Sequence, residues 1–317
     1  MLLRQHIFCL RPDTGSGVSE YRRTVINHMY SYESLRKLHP CLGRGNEGGG
    51  RLHLPVSPSC NLCCRYCSRM FTASEERPGR TRGILPLQNV GDVIKKALEL
   101  CPELTTVGIA GPGEALATDH AVRAFEITDR EFPELIKCLS TNGLMLEEKA
   151  PELAEVHVDT VTVTVNAVDP SVQEKINKRI YLKGRWVYGE EAARILIDRQ
   201  LRGIEKASAL GMTVKVNTVL IPGINDSHIG ETARKTAEAG ARICNIIPLI
   251  PQAEMSDLDA PGCEELADAR AEAEPYLDVF RHCRHCRADA AGKLNGEDYG
   301  KILYGGPELG QETFSHG

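Results

Sequence analysis

Apolar residues recur along the chain in two different patterns. Helical spacing, with apolar positions three and four residues apart, predicts helices over residues 85–100, 120–130, 190–210, 228–239 and 264–274. Apolar and β-branched segments between these helices predict strands at 51–56, 105–110, 135–140, 156–166, 213–221 and 241–250. About six strand–helix units in succession predict a parallel sheet with right-handed crossovers.

The number of units decides between a closed and an open barrel. A closed barrel needs eight units, so about six predict an α/β fold of the partial (β/α)6 TIM-like type. We place this core at residues 39–292, between an N-terminal extension at 1–38 and a C-terminal tail at 293–317. Residues 22–38 have a helical pattern, whereas the glycine and proline residues at 305–307 indicate a loose tail.

Two of the predicted strands carry polar side chains on one face. Residues alternate between faces along a strand, so Thr162, Thr164 and Asn166 share one face. Lys215 and Asn217 share a face of a later strand in the same way. A sheet with one solvated face would show the same alternation. Helices follow both strands and would cover the apolar face, which favours an interior cavity large enough for a polar cofactor.

The bulk composition limits the classes of partner. Hydrophobic residues make up 42% of the 317 residues and charged residues 26%, which is ordinary for a globular protein. A net charge of −5 gives no electrostatic case for nucleic acid or an anionic membrane as the main partner, and no apolar run is long enough to span a bilayer. Twelve cysteines without a recognisable secretion signal indicate a reducing cytoplasm and metal or redox chemistry.

Three cysteines with C-x3-C-x2-C spacing follow the first predicted strand, at Cys60, Cys64 and Cys67. A [4Fe–4S] cluster usually takes four cysteines, so three thiolates would leave one iron open for a ligand that is not protein. A structural zinc site or incidental thiols would be the alternative. Cys63 lies inside the motif and leaves open which cysteine is the ligand. The spacing, with Tyr66 before the last cysteine, resembles the cluster loop of radical S-adenosylmethionine enzymes.

Glycine and polar residues follow several strands at the same edge of the predicted sheet. Gly111 and Gly113 close the second strand and let the backbone approach a ligand, and the carboxylate of Glu114 can accept hydrogen bonds from an ammonium group. Other polar residues near strand ends either contact the ribose or carboxylate of a cofactor or only form turns. These residues are Ser140, Thr141, Asn142, Asn166 and Asn217.

A second cysteine pair, Cys283 and Cys286, lies beyond the last predicted helix. A C-x2-C pair in such a chain is a redox pair, half of a zinc site or part of an Fe–S site. No thioredoxin-like unit is visible in the sequence around it, whereas His282 and His285 would serve as further zinc ligands. The pattern alone therefore leaves zinc and Fe–S open.

Taken together, the motifs resemble the NifB family of nitrogenase cofactor biosynthesis proteins, within the radical S-adenosylmethionine enzymes, over roughly residues 36–292. The terminal C-x2-C-R-A-D-A and the His-Pro-Cys near the start make the resemblance specific to this family. The stretches that carry it are His39–Cys41, His53, the cysteine loop, Glu76–Gly79, Ala110–Glu114, Cys138–Gly143, Val165–Ala167, Lys215–Asn217, Ile221–Asp226 and Arg281–Ala290.

The resemblance implies a barrel of the radical S-adenosylmethionine type with three [4Fe–4S] clusters, some of whose ligands lie in N- and C-terminal extensions. One cluster would bind S-adenosylmethionine, and the two auxiliary clusters would be substrate as much as cofactor. The implied ligand sets are Cys60, Cys64 and Cys67 for the first cluster, Cys41, His53 and Cys138 for the second, and Cys283 with Cys286 for the third, whose remaining ligand is unassigned.

The activity that the resemblance implies is a lyase- or transferase-type reaction that fuses two clusters. One S-adenosylmethionine gives its methyl group to the cluster substrate, and a second is cleaved reductively to a 5′-deoxyadenosyl radical that takes hydrogen from that carbon. The carbon ends as a carbide, with additional sulfur, in the eight-iron precursor of the nitrogenase cofactor. The implied partners are Fe–S cluster donors, cofactor carrier or scaffold proteins, and an electron donor such as ferredoxin.

One departure from the family pattern and two alternative functions stay open. The further cysteine that the family carries shortly before Arg-Pro-Gly is absent from Phe71–Ser74, so Cys63 would be the substitute if that thiol handles sulfur. In the same loop, Glu75 or Glu76 is either a group that handles protons or sulfur or a solvated charge. The alternative functions are another radical S-adenosylmethionine enzyme with auxiliary clusters, acting on an organic or peptide substrate, and a non-catalytic Fe–S scaffold.

Overall fold

A computed structural model describes residues 30–43, 48–305 and 309. The first part of the helix predicted at 22–38 lies outside the described residues, and its remainder forms a helix at Tyr32–Leu38. Among the described residues, no helix combines the length and the apolar composition that crossing a membrane requires. The largest hydrophobic core joins the strands to the helices that pack outside them.

Strands and helices alternate along the described chain. The strands are β1 (Gly50–His53), β2 (Leu62–Cys64), β3 (Leu104–Ile109), β4 (Ile136–Thr141), β5 (Thr160–Thr164), β6 (Asn177–Leu182), β7 (Arg185–Tyr188), β8 (Thr213–Leu220), β9 (Ile243–Pro248), β10 (Asp278–Val279) and β11 (Ala291–Gly292). The helices are α1 (Tyr32–Leu38), α2 (Val90–Leu100), α3 (His120–Glu131), α4 (Leu146–Glu155), α5 (Pro170–Ile176), α6 (Gly189–Ala209), α7 (Ile229–Glu238), α8 (Cys263–Ala273) and α9 (Gly300–Tyr304).

The main sheet is an open, mostly parallel barrel wall. Its strand order is β10-β9-β8-β5-β4-β3-β1-β11, and every neighbouring pair is parallel except β1 with β11. Six of its strands, β1, β3, β4, β5, β8 and β9, are those predicted from the sequence. The predicted partial (β/α)6 barrel is therefore confirmed, and β10 and β11 extend it at its two edges.

The inner face of this sheet is polar because of the register between β5 and β8. Thr162 pairs with Lys215 and Thr164 pairs with Asn217, so the polar side chains of the two strands lie side by side. The valines between them, such as Val163, are buried in the core against the helices. The expected split into an apolar outer face and a polar inner face is confirmed.

Several described elements were not predicted, among them α4, α5, α9 and a hairpin. Helix α4 occupies a segment to which the sequence assigned no element, since the internal Pro151 interrupts its pattern, and the strand predicted at 156–166 is correspondingly shorter. Strands β6 and β7 form a hairpin that pairs with β2 in a separate antiparallel sheet. Lys183 and Gly184 turn this hairpin with φ values of 50° and 80°, as a two-residue type I′ turn requires.

The chain after residue 293 packs against the barrel as far as it is described, where the sequence predicted a loose tail. Strand β11, which directly precedes this segment, lies antiparallel to β1, and Leu303 and Tyr304 of α9 are buried. The hydroxyl of Tyr304 donates a hydrogen bond of 2.6 Å to the backbone oxygen of His53. The pairing brings the segment that carries Cys283 and Cys286 to the edge of the barrel at β1.

A buried carboxylate fixes the C-terminal segment to the loop that follows the cysteine motif. Asp289 is fully buried and accepts hydrogen bonds from the side chain of Arg287 at 2.7 Å and from Arg82 at 2.8 Å. Arg287 also donates to the backbone oxygens of Thr72 and Glu75, at 2.8 and 2.6 Å. The Arg-Ala-Asp-Ala stretch that made the sequence resemblance specific thus joins the C-terminal segment to this loop, and we call this set of contacts the clasp.

We expect Asp289→Ala to lower the free energy of unfolding by about 3–5 kcal/mol, because Arg287 and Arg82 would be left without their buried counter-charge. Urea denaturation of the anaerobic protein measures the change. Glu147→Ala is the matched control, since Glu147 pairs with Arg202 on the surface, with side chains 29% and 58% exposed; it should cost at most about 1 kcal/mol. Equal losses in the two variants would contradict the clasp.

Candidate active site

A cavity of about 330 Å³ runs along the inner face of the sheet to the C-terminal ends of its parallel strands. Its wall includes the polar residues predicted on β5 and β8, among them Thr162, Thr164 and Lys215. Most of the predicted site residues line the same cavity. They are Cys41, His53, Cys60, Cys64, Cys67, Gly113, Glu114, Cys138, Ser140, Asn142, Asn166, Asn217, Cys283 and Cys286.

The short strand β2 separates Cys63 from the other cysteines of the loop. Cys60, Cys64 and Cys67 line the cavity, whereas Cys63 does not. Cys63 pairs in register with Arg179 of β6. The pairing is irregular between Cys63 and Cys64, and of these two residues Cys64 lines the cavity. The structure therefore favours the C-x3-C-x2-C interpretation and does not bring Cys63 to the cavity as a substitute thiol.

Burial and nearby polar groups set the chemistry of the three thiols. Burial raises the pKa of Cys60 and of Cys64, and the guanidinium of Arg69, which interacts with all three thiols, opposes that rise in both. The side chain of Asn177 donates a hydrogen bond of 3.0 Å to the sulfur of Cys64. Because the thiols of Cys60 and Cys64 are protonated at neutral pH, binding of iron must release their protons.

This donor set fits a [4Fe–4S] cluster. The three thiols are free, they line one cavity, and a cation lies beside them to balance thiolate charge. Within the described part of the chain, no three His, Cys, Asp or Glu side chains are gathered closely enough to hold a single metal ion. Three soft thiolates on one loop are the ligands that iron–sulfur clusters take.

The glycine-rich turn after β3 is seated directly on the chain that enters the cysteine loop. The backbone nitrogen of Gly113 donates to Ser57 at 2.9 Å, and that of Glu114 donates to Ser59 at 2.8 Å. A Cβ atom at position 113 would lie 2.1 Å from the backbone oxygen of Ser59, so only glycine fits. Gly111 lies outside the cavity wall, with φ at +123°.

Glu114 organises the turn that follows β4. Its buried carboxylate accepts hydrogen bonds from the Thr141 hydroxyl, from the backbone nitrogen of Asn142 at 2.7 Å and from that of Leu116 at 3.1 Å. Burial raises the pKa of Glu114. The side chain of Asn142 in turn donates to Asn61 of the cysteine loop at 2.7 Å. A carboxylate has about four acceptor positions, so one remains for a group in the cavity.

Asparagines on β8 and β9 and just after β5 form another part of the cavity wall. Asn166 donates to the hydroxyl of Tyr66 at 3.2 Å and accepts from the backbone of Val219 at 2.9 Å. Asn217 accepts from Asn245 at 3.2 Å. These bonds fix the orientation of each amide group, so the wall presents hydrogen-bonding groups at defined positions.

A second group of donors lies at the other part of the same cavity. Burial is the main cause that raises the pKa of Cys41 to about 12; Lys215 opposes the rise, and the neighbouring thiols of Cys286, Cys138 and Cys283 contribute to it. Burial also raises the pKa of Cys138 and of Cys286. The four cysteines come from three segments far apart in sequence, and the fold gathers them at one place.

His53 belongs to this second group and is held as a neutral imidazole. Its Nδ1 lies 2.8 Å from the backbone oxygen of Arg287 and donates to it, which leaves Nε2 as an acceptor. Burial, followed by the charge of Arg51, lowers the pKa of His53 to about 4. A Cβ atom at Gly108 would lie 3.2 Å from the imidazole Cδ2, so the glycine makes room for the ring.

Lys215 and His39 hold the segment that carries Cys41. The Nζ of Lys215 donates to the backbone oxygen of Cys41 at 3.0 Å and lies 4.2 Å from the centre of the Phe280 ring. The backbone nitrogen of Cys41 donates to Nδ1 of His39 at 3.0 Å. Burial lowers the pKa of His39 to about 3, so this ring is neutral and acts as an acceptor.

The structure does not bring Glu75 or Glu76 into the cavity wall. Glu75 forms ion pairs with Arg77 at 3.0 Å and with Arg80 at 2.8 Å, which hold the loop. A catalytic role for either glutamate stays a prediction. Two residues that line the cavity, Arg69 and Asn177, were not predicted from the sequence. The position of Arg69 two residues after Cys67 could have indicated a cation beside the thiols, whereas Asn177 lies on the unpredicted hairpin.

Comparison with known proteins agrees with this geometry. Residues 54–236 match the radical SAM superfamily. The chain is 44% identical over 279 residues to the FeMo cofactor biosynthesis protein NifB of Methanocaldococcus infernus, which covers 87% of this chain and 92% of that protein. It is 42% identical over 269 residues to the protein of the same name from Klebsiella pneumoniae, over 82% of this chain and 57% of that protein. The crystal structure of SuiB from Streptococcus suis superposes with a TM-score of 0.52 and 15% identity over 74% of this chain and 50% of that one, which shows a shared fold.

We expect Cys64→Ser to remove the cluster of the C-x3-C-x2-C loop, a loss of about four irons per chain. Cys63→Ser should retain that iron, because Cys63 faces Arg179 and not the cavity. Iron analysis and the absorbance of anaerobically reconstituted protein measure both variants. Comparable iron loss in the two variants would show that the assignment of ligands within the loop is wrong.

Proposed function

Because the chain belongs to the NifB family of radical S-adenosylmethionine enzymes, which act in FeMo cofactor biosynthesis, we propose that it fuses two [4Fe–4S] clusters into an eight-iron cofactor precursor. The fusion would take a carbide carbon from S-adenosylmethionine and one additional sulfur. The observation that carries the proposal is the single cavity that two separate donor groups line, the cysteine loop and the group around Cys41, His53 and Cys138.

The resident cluster would be held by Cys60, Cys64 and Cys67. When it is bound, this cluster supplies the electron for reductive cleavage of S-adenosylmethionine. The protein's own contribution is to orient the bound molecule. Glu114 would accept a hydrogen bond from its ammonium group through the acceptor position that Thr141, Asn142 and Leu116 leave free.

The polar inner wall would orient the rest of the molecule. Asn142, Asn166 and Asn217 have amide groups fixed by other protein groups, and they line the cavity beside the cysteine loop. Amides and the nearby Ser140 suit ribose hydroxyls and a carboxylate, because they both donate and accept hydrogen bonds. Fixed orientation is what positions a reacting group within a small distance of its target.

The two clusters to be fused are substrates in this proposal. One would be bound by Cys41, His53 and Cys138, and the other by Cys283 and Cys286. His53 offers a neutral Nε2 whose orientation is fixed by its bond to the Arg287 backbone. A ligand set with one imidazole and few thiolates releases a cluster more readily than four thiolates, which suits a product that must leave.

Positive charges lie beside this substrate region. Lys215 and Arg51 both line the cavity, and both oppose the rise in pKa of a neighbouring thiol, that of Cys41 and of Cys286 respectively. Thiolate-bound iron–sulfur clusters are anionic, so these cations would stabilise two of them in one cavity. The proposal includes Fe–S cluster donors, a cofactor carrier or scaffold protein and a ferredoxin-type electron donor as partners.

Iron counting and EPR spectroscopy of the anaerobic protein test the proposal. We expect roughly twelve irons per chain, since three [4Fe–4S] clusters carry four each. Addition of S-adenosylmethionine under reducing conditions should change the auxiliary signals in the wild type and leave them unchanged in Cys64→Ser. A wild-type iron content near four, with Cys283 and Cys286 binding zinc, would refute the fusion of two clusters.

His53→Cys tests the release step separately. We expect the auxiliary cluster to be retained in this variant, because a thiolate binds iron more firmly than a neutral imidazole. Transfer of iron from the reacted enzyme to an apo carrier protein, followed on a desalting column, should fall at least about tenfold if the replaced ligand limits release. Unchanged transfer at unchanged iron content would contradict the role assigned to the imidazole.

A further inference from the structure

Strands β6 and β7 present an exposed surface of cations and aromatic rings. Residues 177–188 contain four basic residues and no acidic residue, in a chain whose net charge is −5. The tip of the hairpin is exposed at Lys183 and Arg185, and Tyr181 and Tyr188 are 37% and 54% exposed. We call the outward side chains of the two strands and their turn the hairpin surface: Arg179, Tyr181, Trp186 and Tyr188 on one face, Lys183 and Arg185 at the tip, and Lys178 at the base.

The aromatic and basic groups of this surface are packed against one another. The guanidinium of Arg179 lies 3.9 Å from the centre of the Trp186 ring, and Tyr181 packs edge-on against the same ring at 5.2 Å. Such stacking holds Arg179, Tyr181 and Trp186 in one arrangement before any partner arrives. Arginine, tryptophan and tyrosine are also the residue types enriched at protein–protein interfaces.

The hairpin surface lies directly behind a ligand of the resident cluster. Asn177, at the start of β6, donates to the sulfur of Cys64 at 3.0 Å. Strand β2 pairs with β6 and β6 with β7. Neighbouring strands are about 4.8 Å apart, so the outer strand β7 lies roughly 10 Å from the strand that carries Cys64.

The surface is also separate from the cavity. Asn177 lines the cavity, whereas none of the residues 178–188 does. A protein bound to the hairpin would therefore leave the cavity wall uncovered on its inner side. This arrangement suits a partner that must reach the cluster while substrate occupies the cavity.

We propose that the hairpin surface is the docking site for an acidic one-electron carrier protein that reduces the cluster held by Cys60, Cys64 and Cys67. The inference rests on the proposed function, because it needs a redox-active cluster at these thiols. One electron leaves the reduced carrier and enters the oxidised cluster, and no bond or proton changes place. Complementary charge would steer the encounter and the aromatic rings would stabilise the contact.

The choice of cations to change depends on which of them are already paired with acidic residues. Glu254 pairs with both Lys178 and Arg65, at 2.8 and 2.5 Å, so part of the local charge is already balanced. Lys183 and Arg185 at the tip are farther along the hairpin and are exposed. Lys183→Glu with Arg185→Glu therefore gives the largest change in the field that an approaching carrier meets.

The test compares this double variant with Lys96→Glu and Arg130→Glu, a control with the same change in net charge at exposed positions of α2 and α3. Binding of oxidised flavodoxin, an acidic one-electron carrier, is measured by calorimetry at low salt. The rate of cluster reduction is measured by stopped flow, with reduced flavodoxin and separately with dithionite. Lys183→Gln with Arg185→Gln serves as a milder variant if the charge reversal fails to fold.

We expect the hairpin variant to lose at least about tenfold in flavodoxin affinity and in the second-order reduction rate, and to lose most of its salt dependence. Its reduction by dithionite and all values of the control should stay within about twofold of wild type. Equal losses in hairpin and control variants, or tighter binding of phosphatidylglycerol vesicles than of flavodoxin, would overturn the inference. Failure of S-adenosylmethionine cleavage in the wild type with both reductants would count against the proposed function, and the binding comparison would still decide the docking site.

Discussion

The site depends on one buried ion-pair network, in which the carboxylate of Asp289 receives the guanidinium groups of Arg287 and Arg82. Arg287 reaches from this network to the backbone of the loop that follows the cysteine motif, and its own backbone oxygen fixes the ring of His53. The two donor groups of the cavity are thereby tied to one structural element. A buried charge tolerates little displacement, because a movement that separates it from its partner leaves it buried without a counter-charge.

The open barrel provides the polar inner face that the segments held by this network line. A closed barrel would fill its interior with branched apolar side chains. Here the sheet stays open among the described strands, and its inner face carries threonine, asparagine and lysine side chains in matching register. The open polar interior explains how segments from both ends of the chain reach a common cavity, since neither the cysteine loop nor the C-terminal pair could enter a packed core.

Much of this arrangement follows from sequence, and the reasons for the misses are physical. The six parallel strands were predicted because buried parallel strands read as apolar segments between helices. The polar faces of β5 and β8 were predicted because alternation has a period of two. The pairing of the hairpin with β2 was missed because β2 is only three residues long, so this pairing depends on a long-range contact that no local pattern carries. The face of Cys63 was undecidable for the same reason, since the strand that orients it was not visible.

Gly108 on β3 is a small residue at the position that contacts the imidazole ring of His53 on the neighbouring strand β1. Glycine in the middle of a strand lowers stability and usually has a packing reason. Position 108 is within β3, and a Cβ there would press against the imidazole ring of His53 on β1. The glycine therefore leaves the space that the imidazole fills, so a smaller side chain at position 53 would remove this steric limit on the residue at position 108.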